Sequence, residues 1–214
     1  MDWRTPERVF GSGLEPVVLR VLWTAGRPMT GEQVARVARD GSPRGIRYAL
    51  GRLVGQGIVT TQDVGASVLY DLNTEHLLYG AVDAAFNAMH PWEHLKHRIE
   101  VLVERPYPQG DVTVALFGSV ARGTATIDSD VDVLVVAPVI DERAGKLRTQ
   151  LVDGIRAWTG QAVGVYLTTP ALLAEADAAS DLIIESFRRE AKTLVGPPVA
   201  NHLPPADTHL KESR

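Results

Sequence analysis

Asp130 and Asp132 stand two residues apart at the mouth of the apolar run Val133–Val136. On an extended chain, side chains two apart point the same way, so the two carboxylates face one space. Like charges held side by side repel, and a divalent cation between them relieves the repulsion. Hard oxygen ligands in an open site suit Mg2+ (or Mn2+), which also binds substrate phosphates. Upstream, Gly118 and Ser119 close a second apolar segment, Val112–Phe117. Glycine lets the backbone turn sharply and approach a ligand. A serine hydroxyl and backbone N–H groups at a helix start favour anions. The two features together make a phosphate-cradling turn and a metal-holding pair on adjacent strands.

Other phosphate motifs fit less well. Neither GxxxxGK[ST] nor GxGxxG occurs. Phosphatases of the haloacid-dehalogenase type also carry DxD, but there the aspartates follow the apolar strand, and here they precede it. Gly118-Ser119, Arg122-Gly123, Ser129-Asp130 and Asp132, in that order, resemble the signature of the DNA-polymerase-β-like nucleotidyltransferase superfamily, especially its minimal bacterial members. The resemblance covers about Val112 to Gly196. It implies that Gly118 and Ser119 contact the triphosphate, with Ser129 beside them, and that Asp130 and Asp132 are the catalytic metal ligands. Arg122 has two readings: a phosphate contact, or a buttress for the loop against Asp128 or Asp130. The implied reaction is attack of an acceptor oxygen on the α-phosphorus of an NTP, with pyrophosphate leaving.

The same resemblance implies a third carboxylate on the next core strand. That strand is expected at Gln161–Thr169, which contains no Asp or Glu. The expected place falls near Gly164 to Tyr166, and Tyr166 is a poor base at neutral pH. Nucleotide and Mg2+ binding are therefore expected, and turnover is left open. The NTP is either substrate or effector.

These residues need elements to position them. Val112–Phe117 and Val131–Val136 read as strands, Glu142–Thr159 as an amphipathic helix with Leu147, Leu151, Ile155 and Trp158 on its core stripe, and Ala171–Ala178 as a further helix. A helix capped by Ser180 is expected over "DLIIESFRREAKTLVG", with Arg188, Arg189 and Lys192 facing water. After Gly196 the chain is proline-rich and polar, and is expected to be a disordered tail.

The N-terminal part reads as three short helices and a hairpin. Leu14–Ala25 has helical apolar spacing. Thr30 and Gln33 form a capping-box pattern, and Ser42 caps a third helix with Pro43 at its first position. In that helix, at about 100° per residue, Ile46, Leu50, Leu53 and Val54 share one side and Arg44, Arg47, Tyr48 and Gly51 the other. No acidic residue occurs between Asp40 and Asp63, whereas Arg44, Arg47 and Arg52 do. "IVTT" and "SVLYDL" alternate like strands around "QDVGA". This order resembles a winged helix-turn-helix domain, which implies contact with double-stranded DNA through Arg44, Arg47, Tyr48 and Arg52. An ordinary solvated helix face is the other reading.

Between the halves, Glu75 to about Glu104 is helical in pattern and broken at Pro91. It carries His90, His94 and His97, read as surface residues rather than metal ligands. The expected architecture is α/β (α+β) with two domains. A winged helix-turn-helix domain spans 1–74, a helical connector 75–108, a nucleotidyltransferase core with a small mixed sheet flanked by helices 109–196, and a tail 197–214.

Bulk properties set limits. With 45% apolar and 22% charged residues the chain has the composition of a globular protein. There is no cysteine, which excludes disulfides and thiolate metal sites and fits a cytoplasmic protein. No apolar stretch is long enough to cross a bilayer. A formal net charge of -4 argues against a global electrostatic grip on nucleic acid, so any such contact must come from a local patch. Winged-helix regulators are often dimers, so a homodimer fits this reading.

Overall fold

The structure is a computed structural model that describes residues 1–38 and 40–203. The chain divides into two compact units, one spanning Asp2–Pro91 and the other starting at Trp92 and including Met1. The stretch 75–108 falls on both sides of that boundary.

In the first unit a 3-10 turn at Pro6–Phe10 precedes α1 (Glu15–Ala25), β1 (Met29–Thr30), α2 (Gly31–Val37), α3 (Pro43–Gly55), β2 (Val59–Val64), β3 (Ser67–Leu72) and α4 (Tyr79–Asn87). Thr30 accepts from the Gln33 amide while the Gln33 side chain accepts from the Thr30 amide, so both halves of the capping box are made. Ser42 caps α3. The sheet is antiparallel in the order β1-β3-β2, with Met29 opposite Tyr70. Its core gathers Val18 and Leu22 from α1, Val34 from α2, Ile46, Leu50 and Leu53 from α3, and Val59 from β2. The apolar side of α3 is thus spent on the core, which leaves Arg44, Arg47 and Tyr48 exposed.

The second unit runs α5 (Pro91–Glu104), β4 (Thr113–Phe117), α6 (Gly118–Arg122), β5 (Val131–Val136), α7 (Glu142–Thr159), β6 (Val163–Thr168), α8 (Pro170–Ala178), α9 (Leu182–Glu190) and β7 (Lys192–Val195). The mixed sheet has the order β6-β5-β4-β7. β4 is antiparallel to β5 and β7, and β5 is parallel to β6 through the crossover helix α7. On one face Ala115, Leu134 and Val136 pack with Leu173 of α8 and Ile184 and Phe187 of α9. Alternation sends Val133 and Val135 to the opposite face, and α7 buries Leu147, Leu151 and Ile155. The expected mixed α/β architecture is present: nine α-helices and two small sheets among the described residues.

Three local expectations are corrected. Ser180 does not cap α9. It adopts a left-handed conformation (φ 58°) in the turn that closes α8, and Asp181 accepts from the Ile183 amide instead. The helix also does not continue to Gly196. It ends at Glu190, and Lys192–Val195 forms β7 on the free edge of β4. Residues 197–203 are packed rather than tail-like. Val199 is buried against the α8–α9 core, and the Thr113 hydroxyl donates to the Pro197 carbonyl at 2.7 Å. With its single proton spent there, that hydroxyl accepts from His202 Nε2 at 2.7 Å. Residues 204–214 of the expected tail lie outside the described residues.

Candidate functional site

The sheet register assembles the acidic end of the second unit. Phe117 of β4, Asp132 of β5 and Gly164 of β6 lie in one row across three strands. Asp132 shares the sheet face of Leu134 and Val136, because side chains alternate along β5. Asp130 immediately precedes the strand and is exposed, whereas Asp132 is half-buried. Burial raises the Asp132 pKa above the usual aspartate value. The charges of Asp130 and Glu190 push it the same way, and Arg122 opposes them.

The turn after β4 approaches this row closely. Gly118 has φ 68°, and a Cβ on it would overlap the Asp132 carboxylate. Only glycine therefore lets the backbone pass there without moving Asp132. Gly118–Arg122 makes a single helical turn ended by Gly123 at φ 72°. The backbone carbonyl of Ser119 accepts from the Thr124 and Ala125 amides, which folds the following loop back onto the turn. The Ser119 hydroxyl makes no hydrogen bond among the described residues.

The other two residues expected at the nucleotide are already engaged. Ser129 Oγ accepts from the Thr126 amide at 2.9 Å and so shapes its own loop. Arg122 pairs with neither Asp128 nor Asp130. Its Nη1 donates to Glu190 Oε2 at 2.6 Å, at the end of α9.

Two residues of this site escaped the sequence reading. Glu190 holds Arg122, and its carboxyl lies below the usual glutamate range, chiefly through the Arg122 hydrogen bond. Gln161, 4% exposed, sends Nε2 to the carbonyls of Thr126 at 3.1 Å and Ser129 at 2.8 Å. It thereby pins the loop that delivers Asp130. Neither partner is local in sequence, so no short motif could have disclosed them. A buried, unalternating glutamine at the entry to a strand is the only signal that Gln161 offers.

The donor set fits a hard divalent cation in part. Neither Asp130 nor Asp132 takes part in an ion pair or side-chain hydrogen bond among the described residues, so both are free to ligate. No group of three or more His, Asp or Glu side chains among the described residues is arranged to hold a metal alone. Two carboxylates with the remaining positions left to water and phosphate is the pattern by which Mg2+ binds a nucleotide. Gly164, where a third carboxylate was expected, offers only open backbone beside Asp132.

In the other unit, Arg44 donates to the Tyr48 hydroxyl and lies 5.4 Å from its ring centroid. Arg47 is exposed. Arg52 is paired with Glu15 of α1, so its charge is used within the unit. No helix among the described residues is long and apolar enough to cross a membrane.

No curated protein matches the chain. Among solved structures it is similar to the crystal structure of a toxin-antitoxin with AMP-PNP, at 22% identity over 50% of this chain and 77% of that one, with a TM-score of 0.35. It is also similar to TrmBL2, an archaeal chromatin protein with a novel mode of DNA binding, at 18% identity over 88% of this chain and 78% of that one, with a TM-score of 0.30. Over residues 96–191, from within α5 to the end of α9, the chain matches the family model of the nucleotidyltransferase domain.

Proposed function

We propose that the second unit binds an NTP with Mg2+ (or Mn2+) and transfers its nucleotidyl group to an acceptor oxygen. Asp130 and Asp132 hold the cation, and Gly118 and Ser119 face the triphosphate. Ser129 and Gln161 shape the loop that carries Asp130. The bound cation would supply charge neutralisation on the phosphates and at the leaving pyrophosphate. The observation that carries this reading is the pair of unpartnered carboxylates beside a glycine turn, inside the stretch that matches the nucleotidyltransferase domain.

The first unit is proposed to be a winged helix-turn-helix module. Its helices α1–α3 and the β2–β3 antiparallel hairpin, with Arg44, Arg47 and Tyr48 exposed on α3, support contact with double-stranded DNA.

One observation favours a second reading. Residue 164 carries no acid next to Asp132, and the strand offers no carboxylate to take the acceptor's proton. In this reading the protein is a DNA-binding regulator, and the nucleotide is its effector.

Incubation with α-labelled NTPs and Mg2+ or Mn2+ separates the two. Transfer to an acceptor, lost in Asp130→Ala and Asp132→Ala, supports the enzyme. A metal-dependent rise in melting temperature with NTP and no transfer supports the effector reading. Absence of any NTP binding by calorimetry removes both.

A further inference from the structure

The Arg122 guanidinium is bound by Glu190 rather than by the acidic pair. Its charge is felt at Asp132, but among the described residues its only ion pair is with Glu190. The Glu190 side chain is 5% exposed and collects two donors: the Arg122 guanidinium and the Ser186 hydroxyl. A buried carboxylate is tolerated when it is paired and hydrogen-bonded, and it then fixes the groups that satisfy it. Here they are Ser186 of the same helix and Arg122, the last residue of the Gly118–Arg122 turn. We propose that Glu190 is the positioning residue of this turn, holding Arg122 off Asp130 and Asp132 so that the pair stays open to a divalent cation. The inference rests on the metal-holding reading of that pair.

The physical argument is one of competition. A guanidinium beside two unpartnered carboxylates forms strong, charge-assisted hydrogen bonds with them. Glu190 offers Arg122 a better-enclosed anion. Without Glu190 the guanidinium is released towards Asp130 and Asp132, and a metal ion must displace it.

The test is Mn2+ binding to the full chain without nucleotide, read from the free-Mn2+ spin-resonance signal. Glu190→Ala is expected to weaken Mn2+ binding about tenfold, a scale set by close charge pairs at interfaces. Arg122→Met alone should bind Mn2+ as the wild type does, since its guanidinium is already withdrawn from the pair. The double variant should recover wild-type affinity, the non-additivity that marks a direct coupling. A purely structural role for Glu190 predicts no such rescue. Wild-type affinity in Glu190→Ala, or a double variant as weak as Glu190→Ala, overturns the proposal. If Glu190→Ala does not fold, the same cycle is run on Glu190→Gln, which keeps an acceptor for Ser186 but removes the charge that holds Arg122. Asp132→Asn is the control for the underlying reading. Mn2+ binding that ignores Asp132 sinks both claims, whereas binding that needs Asp132 but ignores Glu190 sinks this one alone.

Discussion

Gly164 lies directly across from Asp132 on the neighbouring parallel strand, and a Cβ on it would sit 3.4 Å from Asp132 Oδ1. An acid introduced there would join the pair across one strand spacing. Gly164→Asp is therefore expected to lower the melting temperature without metal, since a third like charge is added. It should also tighten Mn2+ binding, and raise transfer if turnover is limited by the missing group. Calorimetric titration beside thermal melts checks both halves; an unchanged Mn2+ affinity would show that residue 164 does not border the metal.

Gly118→Ala combines two penalties. The left-handed backbone at φ 68° costs an alanine about 1–2 kcal/mol, and the new methyl group must push Asp132 aside. Chemical denaturation should show a loss of at least that size. Mg2+-dependent stabilisation by NTP should vanish with it, because the carboxylate that moves is a proposed ligand.

The raised pKa of Asp132 gives a signed pH dependence. The folded state binds this proton more tightly than the unfolded chain does. The group's stabilising contribution is thus complete at low pH and lost as pH rises from about 3.9 through the folded-state value. At neutral pH the ionised carboxylate is a net burden, mainly from burial and secondly from Asp130. Asp132→Asn should therefore melt higher than the wild type at pH 7 in the absence of metal. The gap should narrow as pH falls through the folded-state value, and adding Mg2+ should narrow it by stabilising only the wild type. Equal melting temperatures across that range would contradict the assignment.

Gln161→Ala removes the amide that serves the carbonyls of Thr126 and Ser129. Leaving such groups unsatisfied costs about 1–3 kcal/mol in all. Hydrogen exchange should accelerate across residues 124–130, and Mn2+ affinity should fall although Gln161 is no ligand. Gln161→Met, which keeps the volume, should behave in the same way.

On α3 the arginines should separate by their partners. Arg47→Ala should weaken binding to duplex DNA and reduce the slope of log affinity against log salt by about 1. Arg52→Ala should change DNA binding less and stability more, since Arg52 is occupied with Glu15. Fluorescence anisotropy at several salt concentrations resolves these cases. No duplex binding even at low salt would end the recognition-helix reading.

How far these features were legible in the sequence depends on how local their causes are. The run VDVLVV predicts β5 as found, and the spacing of Leu147, Leu151 and Ile155 predicts α7 as found, because periodicity is written into adjacent residues. The two-residue β1 has no period to read. β7 is a strand only because β4 has a free edge for it, and "KTLV" itself continues the preceding helical pattern. Glu190 and Gln161 reach partners 68 and 35 residues away. Their roles arise from the sheet order rather than from any neighbouring residue.

The anchoring of 197–203 bears on how this chain can be shortened. Composition suggests a cut after Gly196, but that cut would unplug Val199 from the α8–α9 core and strip Thr113 of both its polar partners. The core strand that leads into Gly118 would then begin at an unsatisfied hydroxyl next to a hole. A trimmed protein that failed to bind nucleotide would report this injury and say nothing about the acidic pair. Any shortened protein must keep residues 197–203.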